Sequence, residues 1–250
     1  MDEPATQQPP PATPRQSAGS GAEGAATGRG NGRGNGHGDR SRARRPVVLA
    51  HRILIVLLVV VGILHGDGSP TPGEWAARFV YFTIQSNTIL AAVVAWSIVA
   101  TLRGRGHPPV WVKGGAALFV TITGVVYNTV LNPGGGEDAV LLLQGEVEND
   151  TLHVLVPLLA VLDVLLWDRH GRLRWRHAAV WLLYPLAYFG FVLVRGPLVE
   201  GENRYPYFFV DVDRFGYPAV LVMALICTVA FWLLGLLFVA ADRLLARVGR

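Results

Sequence analysis

Charge is scarce in this sequence. Only 16% of its 250 residues are Asp, Glu, Lys or Arg, where a soluble domain of this length carries about a quarter. Those charges cluster between long apolar runs, 51% of the chain is hydrophobic and the mean hydropathy is +0.37. An ordinary soluble domain is thereby excluded. Cysteine is scarcer still: Cys227 stands alone inside an apolar run, which excludes a disulfide framework and reads as packing. No small-residue A-x-A site follows the first apolar run, so "RARRPVVLAHRILIVLLVVVGILHG" reads as a retained span, not a cleaved leader. Residues 1–45 contain no aromatic residue. Their two RGN copies therefore lack the stacking platform that single-stranded nucleic acid needs, and no nucleic-acid partner is expected.

What is present is apolar length. From Pro46 onward, six segments run approximately 47–65, 79–102, 111–132, 151–167, 178–195 and 216–241. Each is close to the ~20 residues that cross a bilayer as a helix. The composition predicts a disordered Gly/Pro/Arg-rich tail over 1–45 and an all-α, integral membrane six-helix bundle over 46–250. The tail carries seven arginines against four acids. Loop 103–113 holds Arg103, Arg105 and Lys113 with no acid, and loop 168–177 is rich in arginine. Loop 133–150 holds five acids and no base, and the remaining two loops are not basic. Basic and non-basic loops alternate throughout. The positive-inside rule then predicts cytoplasmic N- and C-termini, a multi-pass place in the cell membrane and the lipid bilayer as partner. The same rule accounts for the net charge of +4 and the pI near 9.6.

Polar residues collect at the predicted outer ends of the spans. In "YFTIQSN", Thr83, Ser86, Asn87 and Leu90 share one helix face by their spacing. Span three carries "TITGVVYNTVLNP", with Thr121, Gly124, Asn128 and Asn132 on one face and Tyr127 beside it. Span four opens with "ENDTLHVLVP", which sets Asn149 and His153 one turn apart. Span five ends with Tyr184, Tyr188, Phe191 and Arg195 on one stripe. Four helices presenting polar faces at one depth predict a pocket. Asn, Thr and Ser also serve as interhelical glue, at about 0.6 kcal/mol per hydrogen bond, and that is the plainer reading of Ser86, Thr121 and Asn132. An ionisable histidine in a span points to function. Asp163 lies about 15 Å along the helix from His153 at 1.5 Å per residue, too far to orient it. It reads as a structural charge beside the arginine-rich loop.

A hydroxyl and an imidazole at one depth suggest nucleophilic acyl transfer. Thr83 needs a neighbouring base to take its proton, and His153 has the pKa range to take and return it. Asn87 and Asn128 are candidate oxyanion donors, and Asn149 or Asp150 candidate orienters of the imidazole. The predicted site is therefore Thr83 and His153, within a pocket formed by Ser86, Asn87, Tyr127, Asn128, Asn149, Tyr188 and Arg195.

The "YFT…N" opening of span two, the Asn after span three and the "N-x-x-x-H-x-x-x-P" opening of span four resemble the androgen-induced gene 1 protein family of membrane-embedded threonine hydrolases. The resemblance covers roughly residues 47–241. It implies cleavage of fatty acid esters of hydroxy fatty acids by one Thr and one His within the bilayer. By position these fall on Thr83, after Tyr81 and Phe82, and on His153, between Asn149 and Pro157. The segment "IQSN" after Thr83 is more polar than the animal members lead one to expect.

Two rival readings share the same residues. One is a non-enzymatic lipid or small-molecule binder or transporter. Against coupled transport stand the lack of an internal repeat and the single deep acid. The other is haem or a metal held by His65 and His153, but no Cys/His spacing motif supports it, so no cofactor and no metal are expected. In the last outer loop, "RYPYFFVDVDRFGYP", the aromatic residues suggest either an interfacial lid or an aromatic belt.

Overall fold

The computed structural model describes residues 36–65, 71–133, 142–201 and 204–248. They form an all-α chain with no β-strand among the described residues. Six helices are long and apolar enough to cross a membrane, as a multi-pass membrane protein requires. We label the helices α1 (Gly36–Leu64), α2 (Pro72–Arg78), α3 (Phe82–Arg103), α4 (Val110–Leu131), α5 (Val147–Trp167), α6 (Trp175–Leu198) and α7 (Val212–Val248). Helix α1 begins inside the segment read as tail, at Gly36, and the rest of that tail lies outside the described residues.

Local chemistry sets several boundaries. Short α2 starts with Pro72 at its first turn and a reciprocal capping box between Thr71 and Glu74. Helix α3 ends on Gly104, whose φ of 70° is the left-handed conformation that releases a helix at low steric cost. Helix α7 is broken near its start at Gly216 (φ 73°, ψ 158°), with Pro218 just beyond.

Packing divides the bundle. Helices α1, α3, α4 and α5 share one core, centred on Ile55, Val59, Val94, Val120 and Val156. Helices α6 and α7 pair with each other and meet the rest chiefly across α4. The second core forms there, from Phe82, Leu118, Ile122, Trp181 and Val239. Gly114 and Gly115 make that seam possible: a Cβ would come within 3.0 Å and 2.8 Å of the Trp181 ring, respectively.

At the end of the bundle away from Thr83, a buried ionic cluster ties four helices together. Asp163 on α5 accepts from Arg52 of α1 and Lys113 of α4, each at 2.8 Å, and Arg52 also donates to Thr101 of α3 at 2.9 Å. The partners of Asp163 are thus cations of α1 and α4, and Asp168, the first residue of the arginine-rich loop, pairs with the same Lys113 at 2.5 Å. A cation beneath the membrane surface needs a rigid partner, and neutralisation inside the bundle supplies one.

Candidate active site

Helix α3 opens without a side-chain cap. Its N-cap residue Tyr81 (φ −78°, ψ 135°) makes no capping hydrogen bond. The first amides of any helix lack intrahelical acceptors, so those of Phe82 and Thr83 point out of the helix start. Their neighbour is the phenol of Tyr207, from the loop before α7. Burial pushes that phenol up from its ordinary pKa, while the nearby hydroxyl of Thr83 and the N–H groups of Thr83 and Phe82 pull it the other way. The loop leading into α3 is fastened by side chains. Gln85 donates to the Phe79 carbonyl at 2.7 Å, and Tyr188 donates to the Val80 carbonyl at 3.0 Å.

His153 is delivered by an irregular stretch of α5. Residues Thr151–Leu155 form a π-helical turn, in which Val156 N–H reaches back to Thr151. A matching π turn, Tyr127–Leu131, ends α4. Such turns insert an extra residue and are frequent at functional sites. Here the two turns face each other, and the rings of Tyr127 and His153 stack at 3.9 Å and 18°. Pro157 explains part of the irregularity. It has no N–H to give the His153 carbonyl four residues earlier. Asn128 donates to that carbonyl instead, at 3.3 Å, and to the Gly124 carbonyl at 2.8 Å. The close approach of α4 to α5 rests on Gly124, where a Cβ would lie 2.7 Å from the His153 oxygen.

The imidazole is buried, 8% exposed, and bonded at both nitrogens. Nδ1 faces the Asn149 carbonyl at 3.2 Å. A carbonyl only accepts, so Nδ1 carries the proton and Nε2 presents a lone pair. Nε2 lies 3.3 Å from Thr83 Oγ1. A hydroxyl is therefore held against an oriented base, which is the minimal arrangement for activating a nucleophile.

The other expected site residues divide. Tyr188 lines the cavity described below. Tyr127 covers the imidazole, and Asn149 serves through its backbone oxygen while its side chain turns to Glu146. Ser86 donates to the Thr83 carbonyl and meets Thr123 Oγ1 at 3.0 Å, so it joins α3 to α4. Asn87 turns its NH₂ onto the Thr83 carbonyl at 2.9 Å. Neither Asn87 nor Asn128 is thus arranged as an oxyanion donor, because each amide is directed at a main-chain carbonyl. The carboxylate of Asp150 receives the N–H groups of Gln144 and Gly145 and does not reach His153. Arg195 reaches the Arg204 carbonyl, where it braces the loop before α7.

Beside Thr83 opens a cavity of about 780 Å³, its mouth included. Its walls are Ile122, Thr123 and Val126 of α4, Leu182 to Phe189 of α6, and Ala224 to Phe231 of α7. Tyr207, Phe209 and Val210 close it on the loop side. The α7 wall escaped the sequence reading because Ala224, Cys227, Thr228 and Phe231, at i, i+3, i+4 and i+7, look like any lipid-facing stripe. Among the described residues no group of three or more His, Cys, Asp and Glu is placed to hold a metal ion.

No family model matches the chain, and neither a curated protein nor a solved structure matches it.

Proposed function

We propose that this chain is an intramembrane Thr/His hydrolase of lipid esters, with the Thr83 end of the bundle facing outward from the cell membrane. The observation that carries the reading is the 3.3 Å approach of His153 Nε2 to Thr83 Oγ1, with Nδ1 pinned by a carbonyl. The resemblance to the androgen-induced gene 1 protein family supports the same two residues, and the alternation of basic loops supports the orientation.

The geometry supports the following chemistry. Thr83 Oγ1 attacks the ester carbonyl carbon as His153 Nε2 takes the hydroxyl proton. The carbonyl oxygen, now an oxyanion, moves to the amides of Phe82 and Thr83, at the positive end of the α3 dipole. This requires the Tyr207 phenol to withdraw from those amides. The intermediate collapses, the C–O bond to the alcohol breaks, and His153 returns its proton to the departing alkoxide. Water then attacks the acyl-threonine, with His153 again as base, and releases the acid and free Thr83.

The direct test is labelling by a fluorophosphonate probe in membranes, which forms a phosphonyl–oxygen bond with an activated hydroxyl and expels fluoride. Labelling of the wild type that is lost in Thr83→Ala and His153→Ala, at equal expression, is the expected result. A folded wild type that neither labels nor cleaves any ester would favour the second reading, a lipid-binding membrane protein. The apolar cavity lining is the observation on that side, since it fits a ligand as well as a substrate.

A further inference from the structure

We infer that the cavity beside Thr83 is a slot for one linear acyl chain of about eight carbons, and that Phe231 forms its floor. The inference rests on the hydrolase reading for the role of Thr83, and on the cavity alone for the ligand.

The slot's length can be read from its walls. On α6 the lining stripe runs from Leu182 to Phe189, and on α7 from Ala224 to Phe231. Each stripe spans seven residue steps of helix, about 10 Å at 1.5 Å per step. An extended alkyl chain built from C–C bonds of about 1.5 Å advances about 1.25 Å per carbon, so eight carbons fill that length. The helices are antiparallel, so Leu182 and Phe231 meet at one end and Phe189 and Ala224 at the other. The first is the deep end, because Phe231 also packs against the Trp181–Val239 cluster, which is solid core. The loop end is closed by Tyr207 and Phe209, whose rings stack at 5.3 Å and 3°.

The chemistry of the lining selects the occupant. No charged side chain lines the slot. Its polar atoms are hydroxyls and one thiol, from Thr83, Thr123, Thr228, Tyr188, Tyr207 and Cys227. An uncharged carbonyl beside Thr83, followed by a bare hydrocarbon tail toward Phe231, satisfies that distribution. A charged headgroup does not, since burying it unpaired costs several kcal/mol. The long chains typical of bilayer lipids would have to leave the slot before reaching their ends.

Cys227 gives a readout that needs no turnover. It is the chain's sole cysteine, it is free, half-buried and lines the slot midway along α7. The experiment uses the full chain in lipid nanodiscs and follows, by intact mass, the reaction of Cys227 with methyl methanethiosulfonate. In that reaction the thiolate forms a disulfide with the methylthio group and methanesulfinate leaves. Linear methyl ketones of 6 to 16 carbons, which hold a carbonyl but no scissile bond, are added as competitors. The expected result is protection that rises to about tenfold near eight carbons and falls off by 12 to 16. In Phe231→Ala, and independently in Leu182→Ala, the optimum moves to longer ketones by about three carbons. Equal protection from 8 to 16 carbons, an optimum unmoved in both variants, or no protection at any length overturns the inference. Chain-length-selective protection without ester turnover would leave the slot standing and remove the hydrolase. Turnover with flat protection would do the reverse.

Discussion

Asn128 donates its side-chain amide to the main-chain carbonyl of His153, the carbonyl that Pro157 leaves without a helical donor. The two residues are thus complementary: proline opens the helix at His153, and asparagine from the facing helix satisfies what was opened. Removing Asn128 alone strands a buried carbonyl at about 1–3 kcal/mol. We expect Asn128→Leu to be destabilised by that order and Pro157→Ala, which restores an N–H, to recover much of it in the double variant. Unfolding of the four proteins by denaturing detergent measures the coupling, and strict additivity would rule the relationship out.

Thr83→Ser keeps a hydroxyl at the same reach of His153 and should retain ester cleavage, whereas Thr83→Ala should abolish the covalent intermediate. His153→Gln should lower turnover by about 10²–10⁴-fold, the usual contribution of a positioned base. Burst kinetics with a chromogenic medium-chain ester separate the two. A His153→Gln variant as fast as wild type would show that the 3.3 Å contact has no catalytic role.

On the proposed mechanism the Tyr207 phenol must leave the first amides of α3 as the oxyanion forms, so Tyr207→Phe should raise kcat with little change in KM. One displaced hydrogen bond, at about 1 kcal/mol, corresponds to about fivefold. The same residue gives a pH signature. Burial raises its phenol above the unfolded value of about 10. Its folded state therefore favours the protonated form: that stability is fully present below about pH 10 and is lost as pH rises through the folded pKa. Relative to wild type, Tyr207→Phe should lose less stability between neutral and strongly alkaline pH. Identical alkaline profiles would place the phenol in solvent.

Asp163 and Asp168 together neutralise Arg52 and Lys113 inside the bundle. Asp163→Asn leaves Arg52 and Lys113 to share Asp168 alone, at 3.8 Å and 2.5 Å. Two buried cations then face one anion, a change that costs up to about 3–5 kcal/mol in comparable sites. Replacing Asp163, Asp168, Arg52 and Lys113 together by apolar residues of similar volume should restore most of it. The cluster is remote from His153, so Thr83 labelling per folded molecule should stay constant. Thermal unfolding in nanodiscs, normalised against labelling, distinguishes this structural role from a catalytic one.

The sequence carried the fold because membrane helices write their length directly into composition. Runs near 20 apolar residues, separated by charge, leave few alternatives to six helices. Thr83 and His153 were visible for a related reason, since a hydroxyl-rich helix start and an in-span histidine contrast with their surroundings. Asn87 and Asn128 were misjudged because short polar side chains on helices often return to their own backbone carbonyls, and spacing does not reveal which choice is made. The two π turns were hidden as well, since counting at 3.6 residues per turn assumes the regularity they break. The slot's α7 wall stayed hidden because an apolar stripe reads the same against lipid as against a cavity. Tyr207 was seen only as part of an aromatic loop, as its contact with the start of α3 spans more than a hundred residues of chain.

Gly124 offers the sharpest separation of folding from catalysis. A Cβ there would sit 2.7 Å from the His153 carbonyl and 3.2 Å from the Pro157 ring. Both neighbours are parts of a stiff helix, so α4 and α5 must move apart by several tenths of an ångström. Asn128 would then lose its grip on the His153 carbonyl, and Nε2 would shift relative to Thr83 Oγ1. Misplacement of about 1 Å costs catalysis about a hundredfold, whereas overpacking of this kind costs about 1–3 kcal/mol of stability. Gly124→Ala should therefore lose a larger share of turnover than of folded protein, and the loss should appear in kcat. Parallel losses in folded fraction and turnover would mean that the close approach serves packing alone.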